Sequence, residues 1–141
     1  PSVPLNFKNM RTDMFLVALA GPMSNVFLAV GGAVLLGLVV RFSGHLSMEM
    51  VKALVSILKV FISINLFLAI FNLIPLHPLD GGKVLARFLP ANLNYKLEKN
   101  EHVTSLILLA LVLTGALQIL IFPVDWANHL LLHFAQSLAG M

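Results

Sequence analysis

Three stretches of this chain run for twenty residues or more without a formal charge: Met14 to Val40, Val60 to Leu79 and Val103 to Phe122. A helix rises about 1.5 Å per residue, so runs of this length match the roughly 30 Å hydrocarbon layer of a bilayer. In lipid the backbone N–H and C=O groups have no water to bond, and a helix pairs them all within its own segment. The pattern therefore predicts an all-α, multi-pass membrane protein. Residues 1–141 are read as one membrane domain with transmembrane helices at about 14–40, 52–74 and 103–122.

Composition agrees. Hydrophobic residues make up 59% of the chain and charged residues 11%, against about a quarter charged in ordinary soluble domains. The net charge of +3 does not point to nucleic acid here, because the Lys and Arg residues flank apolar runs, as membrane loops do. Cysteine is absent, which excludes a disulfide framework, a thiolate metal site and a cysteine nucleophile. The expected partners are the lipid bilayer and segments within it. No feature sets an oligomeric state.

Between the runs, residues 1–13 are polar and read as an extended loop. Gly21-Pro22 falls early in the first run and should kink it or begin a new helical segment. Met48 to Lys59 has helical spacing and leads into the second span, which Pro75 and Pro78 break. Lys83 to Leu89 reads as a short amphipathic or re-entrant segment after Leu79-Asp80-Gly81-Gly82. Ala91 to His102 reads as an asparagine-rich loop, and Pro123 stops the third run. The tail, with Trp126, reads as a helix on the membrane surface or against the bundle. Ser63 and Asn65 read as polar contacts between helices.

Lys and Arg set the orientation. The segment before the first span and the loop after the second hold Lys8, Arg11, Lys83, Arg87, Lys96 and Lys99, while the opposite side holds Arg41, Lys52 and Lys59. The positive-inside rule then places the Asp80 loop on the cytoplasmic side, with the chain in the plasma membrane of a prokaryote.

Asp80 is the residue with chemical content. A carboxylate at the edge of a membrane-length segment is a functional candidate by default, and Gly81 and Gly82 let the backbone turn or approach something closely. The plain alternative is that Asp80 caps a helix starting near Gly81. Zinc takes carboxylate and imidazole ligands, and a catalytic zinc keeps one position for water. The irregular backbone after Ile74 suits the wall of a cavity, because non-helical backbone at membrane depth needs protein or water to pair it.

The segment from Asn72 through Pro75 to Leu79-Asp80-Gly81-Gly82 resembles the signature of the site-2 protease family of intramembrane zinc metalloproteases. Gly21-Pro22-Met23-Ser24-Asn25 is similar to that family's Gly-Pro-x-x-Asn element. The two motifs occur in the family's order, each on a membrane-length segment. The resemblance implies cleavage of transmembrane or membrane-near peptide segments by zinc-activated water. It implies Asp80 as the third ligand of one zinc ion and Asn72 as a residue positioning substrate or oxyanion. Gly21, Pro22, Asn25, Pro75, Gly81 and Gly82 become structural neighbours of the site.

The family's other two ligands and its base come from a His-Glu-x-x-His helix, which this sequence lacks. The expectation is therefore the C-terminal part of a longer protease, inactive alone, with that helix upstream of Pro1. His129 and His133 have the zinc spacing of four, but Leu130 stands where the base would be, and they read as interfacial tail residues. His77 reads as a loop histidine. The alternatives are a non-catalytic relative that binds partner helices, and a small ion- or proton-pathway subunit using Asp80.

Overall fold

The long apolar runs fold as helices, and every secondary-structure element among the described residues is helical. The structure, a computed structural model, describes residues 7–76 and 79–141. The expectations for residues 1–6, His77 and Pro78 lie outside the described residues. In order, α1 is Phe7–Arg41, α2 Met48–Asn72, α3 Asp80–Ala86, α4 Ala91–Lys99, α5 Glu101–Leu113 and α6 Ile121–Leu138. Single 3-10 turns occupy Ser43–His45 and Ala116–Leu120.

Two helices are long and apolar enough to cross a membrane, Thr12–Arg41 within α1 and all of α2. Counting α5 with Ala116–Leu138 as one broken span raises the number to three. The third run is thus not one helix ended by Pro123. The chain breaks at Gly115, whose φ of 75° is a left-handed conformation that ends helices and that glycine adopts without a Cβ penalty. Pro123 instead falls in the first turn of α6. There the amide it lacks would have had no helical partner.

Other boundaries also differ from expectation. The polar stretch from residue 7 to 13 is the first part of α1, not a loop. The helix continues through Gly21-Pro22 without restarting. Pro22 removes one backbone bond, yet its ring is fully buried together with Ala18, and packing of that kind lets membrane helices keep proline. Ala91 to His102 is also not a loop. Pro90 holds an extended ψ of 151° and α4 starts directly after it. The Asn94 amide donates to the carbonyls of Ala86 (2.8 Å) and Leu89 (3.3 Å), so an asparagine of the expected loop serves a helix end instead.

The helices group into two compact units. One combines the chain up to Met23 with Phe71–Gln118 and holds α3, α4 and α5. The other combines Ser24–Ile70 with Ile119–Met141. In this second unit Ala29, Ala33 and Leu36 of α1 pack with Ile62 and Leu66 of α2 and with Val124 and Ala135 of α6. Small residues set the spacing. A Cβ on Gly32 would fall 2.9 Å from the Phe61 ring, and one on Gly37 2.8 Å from the Ala135 carbonyl oxygen. Close backbone approach of this kind replaces the hydrophobic drive that helices lack in lipid.

The Asn128 amide donates to the Ser63 hydroxyl at 2.7 Å and ties α6 to α2. Asn65, expected to bridge helices, satisfies itself locally by donating to the Phe61 carbonyl of its own helix at 2.9 Å. The tail therefore packs on the bundle through α6. Trp126 is 68% exposed.

Candidate functional site

The site lies within the first unit, where α2 gives way to α3. Asn72 is the last residue of α2. The Ile74 amide bonds the Phe71 carbonyl, and the Leu76 amide bonds the Ile74 carbonyl at 2.8 Å. The second bond closes a three-residue turn around Pro75, whose fixed φ suits that geometry. The Leu79 amide then bonds the Leu76 carbonyl at 2.8 Å, so the turn is hydrogen-bonded at both ends.

Leu79 is extended, with φ −71° and ψ 157°, and α3 begins at Asp80. Asp80 is consequently the first helical residue and not the cap. The cap position belongs to Leu79, and no side chain bonds there. The plain reading of Asp80 as a helix cap is corrected by this geometry. A carboxylate in the first turn remains favourable beside the positive end of a helix.

Two glycines decide where that carboxylate stands. Gly81 is buried, and a Cβ there would collide with the backbone carbonyls of Leu73 and Ile74. Helix α3 therefore lies backbone to backbone against the end of α2, a contact only glycine permits. On the other side, a Cβ on Gly21 of α1 would fall 2.7 Å from Asp80 Oδ2 and 3.7 Å from its Cγ. Asp80 is half-buried because its carboxylate rests on the bare backbone of α1. The structure thus brings one residue of the Gly-Pro-x-x-Asn element directly onto the aspartate of the Leu-Asp-Gly element.

Other expected residues take different places. Gly82 is buried behind Asp80 in α3, and its amide bonds the Leu79 carbonyl at 3.0 Å. Pro22 is buried one residue beyond Gly21. Pro75 is exposed and Asn72 half-buried, at opposite ends of a short stretch of chain. Asn25 belongs to the second unit. His129 and His133 lie four apart on α6, both exposed.

Among the described residues no three His, Cys, Asp or Glu side chains converge on a point where a metal could bind. A catalytic zinc takes about three protein ligands. Among the described residues, Asp80 could therefore give such an ion one carboxylate and would need further donors beside it.

Two supports of α3 were not foreseen. Phe15 of α1 meets Phe88, just beyond α3, edge to face with ring centroids 5.8 Å apart. Asn94 holds the carbonyl of Ala86, the last residue of α3, and that of Leu89 just beyond it. Neither has a sequence signature, since an aromatic pair 73 residues apart and an asparagine in a polar stretch look ordinary before folding.

A family model described as peptidase family M50 matches residues 6–115. A protein of Bacillus subtilis (strain 168) described as "Putative zinc metalloprotease YwhC" is 32% identical over 124 residues, which cover 86% of this chain and 57% of that protein. The chain thus spans a little over half the length of this relative. No solved structure matches.

Proposed function

This chain belongs to peptidase family M50, the site-2 protease family, and from that premise we propose that it forms part of an intramembrane zinc metalloprotease that cuts transmembrane or membrane-near peptide segments. The observation that carries the reading is the seating of Asp80. Its carboxylate rests on the bare backbone at Gly21, and the helix that carries it is fixed by the close approach of Gly81 to the end of α2. A surface aspartate needs no such seat. An aspartate that must present its oxygens at a fixed position does.

In this reading Asp80 donates one carboxylate to a zinc ion. The other ligands and the general base come from a His-Glu-x-x-His helix in residues outside this chain. Bound zinc would supply polarisation of the scissile carbonyl and a nucleophilic water near neutral pH. This chain's own residues do the positioning. Gly21 and Gly81 fix the carboxylate. Asn72, at the end of α2, offers its amide to the substrate backbone or to the developing oxyanion. The turn at Pro75 ends the helix and opens irregular backbone beside the site, where a locally unwound substrate segment can find hydrogen-bond partners. The excess of Lys and Arg supports a cytoplasmic location for this end, in a membrane we take to be a prokaryotic plasma membrane.

The test uses the full-length protein. Asp80→Ala and Asp80→Asn should each lower both bound zinc, read by elemental analysis, and cleavage of a transmembrane reporter. Loss of a residue behind a metal ligand already costs about 10–100-fold, so loss of the ligand should cost at least that. Retention of zinc and cleavage by both variants would show that Asp80 is not a ligand. Asn72→Ala should lower cleavage while zinc content stays unchanged, which separates positioning from ligation.

A further inference from the structure

A second polar feature lies in the other unit, away from the motifs. Between α1, the first half of α2 and the end of α6 is a cleft of about 230 Å³, walled by Leu36, Val55, Leu132 and Ala139 and carrying Lys59 and Gln136 at its edge. Lys59 is the twelfth residue of the 25-residue α2 and adjoins the uncharged run that begins at Val60. A lysine within a span is costly unless its ammonium reaches a headgroup or an anion. Among the described residues no carboxylate pairs with it.

A second cation, Arg41, neighbours the cleft in sequence without lining it. The Arg41 guanidinium, next to the lining residue Val40, donates to the Leu138 carbonyl at 3.4 Å, one residue before the lining residue Ala139. The outer faces here are apolar and exposed, since only 22% of the apolar stretch of α2 is buried.

We propose that this cleft is a binding site for an anionic phospholipid, with one acyl chain against Leu36, Val55, Leu132 and Ala139 and the phosphate on Lys59 and Gln136. The size fits that occupant. The volume is below the roughly 300–1,000 Å³ of pockets that enclose whole small molecules, and it suits a segment of one chain. The charge fits too, because a lysine in the wall of an otherwise apolar cleft, with no carboxylate beside it, is complementary to a phosphate attached to hydrocarbon. The site is independent of the zinc reading, since none of its residues belongs to the Asp80 unit.

The experiment is lipid retention by the purified full-length protein in detergent, read by native mass spectrometry. The protein is titrated with phosphatidylglycerol, with phosphatidylcholine and with sodium phosphate. The wild type should retain phosphatidylglycerol with a preference of about fivefold over phosphatidylcholine, the size one basic residue near an anionic surface contributes. Lys59→Gln should erase the preference and Lys59→Arg should restore it, which guards against a folding defect. Ala139→Leu should reduce retention of both lipids by filling the cleft. Equal retention of the two lipids by the wild type, or a preference that survives Lys59→Gln, overturns the proposal. Full retention by Ala139→Leu overturns the cleft as the seat of the chain. Displacement of lipid by inorganic phosphate would mean that a headgroup anion alone is bound, and would overturn the lipid as occupant.

Discussion

Replacing Gly21 by alanine adds one methyl group, and the structure says where it goes. The new Cβ would stand 2.7 Å from Asp80 Oδ2, whereas ordinary contact begins at 3.4 Å, so the carboxylate must retreat by 0.7 Å. It cannot do so by sliding α3 backwards, because Gly81 already abuts the Leu73 and Ile74 carbonyls. The remaining relief is rotation of the Asp80 side chain away from its rotamer, at about 0.5–1.5 kcal/mol, or a small spreading of helices, at about 1–3 kcal/mol. Against this, alanine is about 1 kcal/mol better than glycine inside a helix. Stability should therefore change little, by less than about 2 kcal/mol in either direction. Function should change much more, since a displacement approaching 1 Å at a reacting centre can lower the rate by about 10²-fold. The assay is reporter cleavage and zinc content of full-length Gly21→Ala, with thermal unfolding alongside. Gly31→Ala is the matched control, because it lies on the same helix and its Cβ would meet nothing within 4 Å. If Gly21→Ala cleaves and binds zinc as well as Gly31→Ala, the seat of Asp80 is not tight and the reasoning fails.

Gly81→Ala should be far more damaging, since its Cβ would overlap backbone carbonyls that cannot rotate away. A loss of about 3 kcal/mol or more is expected, visible as a collapse of the folded fraction in thermal unfolding or of protease resistance. The Asn128–Ser63 bond between α2 and α6 should be worth about 0.6 kcal/mol in a double-mutant cycle of Ser63→Ala and Asn128→Ala, the average for such pairs in membrane bundles. Asn94→Ala removes both bonds to the end of α3. It should cost about 1 kcal/mol, as loss of a helix-end partner does, measured by denaturant unfolding.

Much of the architecture was legible before folding, and the reasons are local. Uncharged runs of membrane length pointed to helices because lipid offers the backbone no other partner, and α2 ends at Asn72, close to where Pro75 predicted a stop. Breaks that depend on a single backbone angle were harder to see. Pro123 was expected to end the third run, but the left-handed φ of Gly115 breaks it earlier and Pro123 falls inside α6. Asparagines misled in the opposite direction, since Asn94 serves a helix end through contacts eight and five residues away.

The amino-acid sequence by itself determined the helical membrane class, the order of the two motifs and the choice of Asp80, because charge, run length and spacing are local properties of the chain. Only the tertiary structure decided why Gly21 and Gly81 are glycines. Their reasons are the Asp80 carboxylate, 59 residues along the chain from Gly21, and the carbonyls at the end of α2. A missing side chain becomes informative only when folding shows what occupies its space.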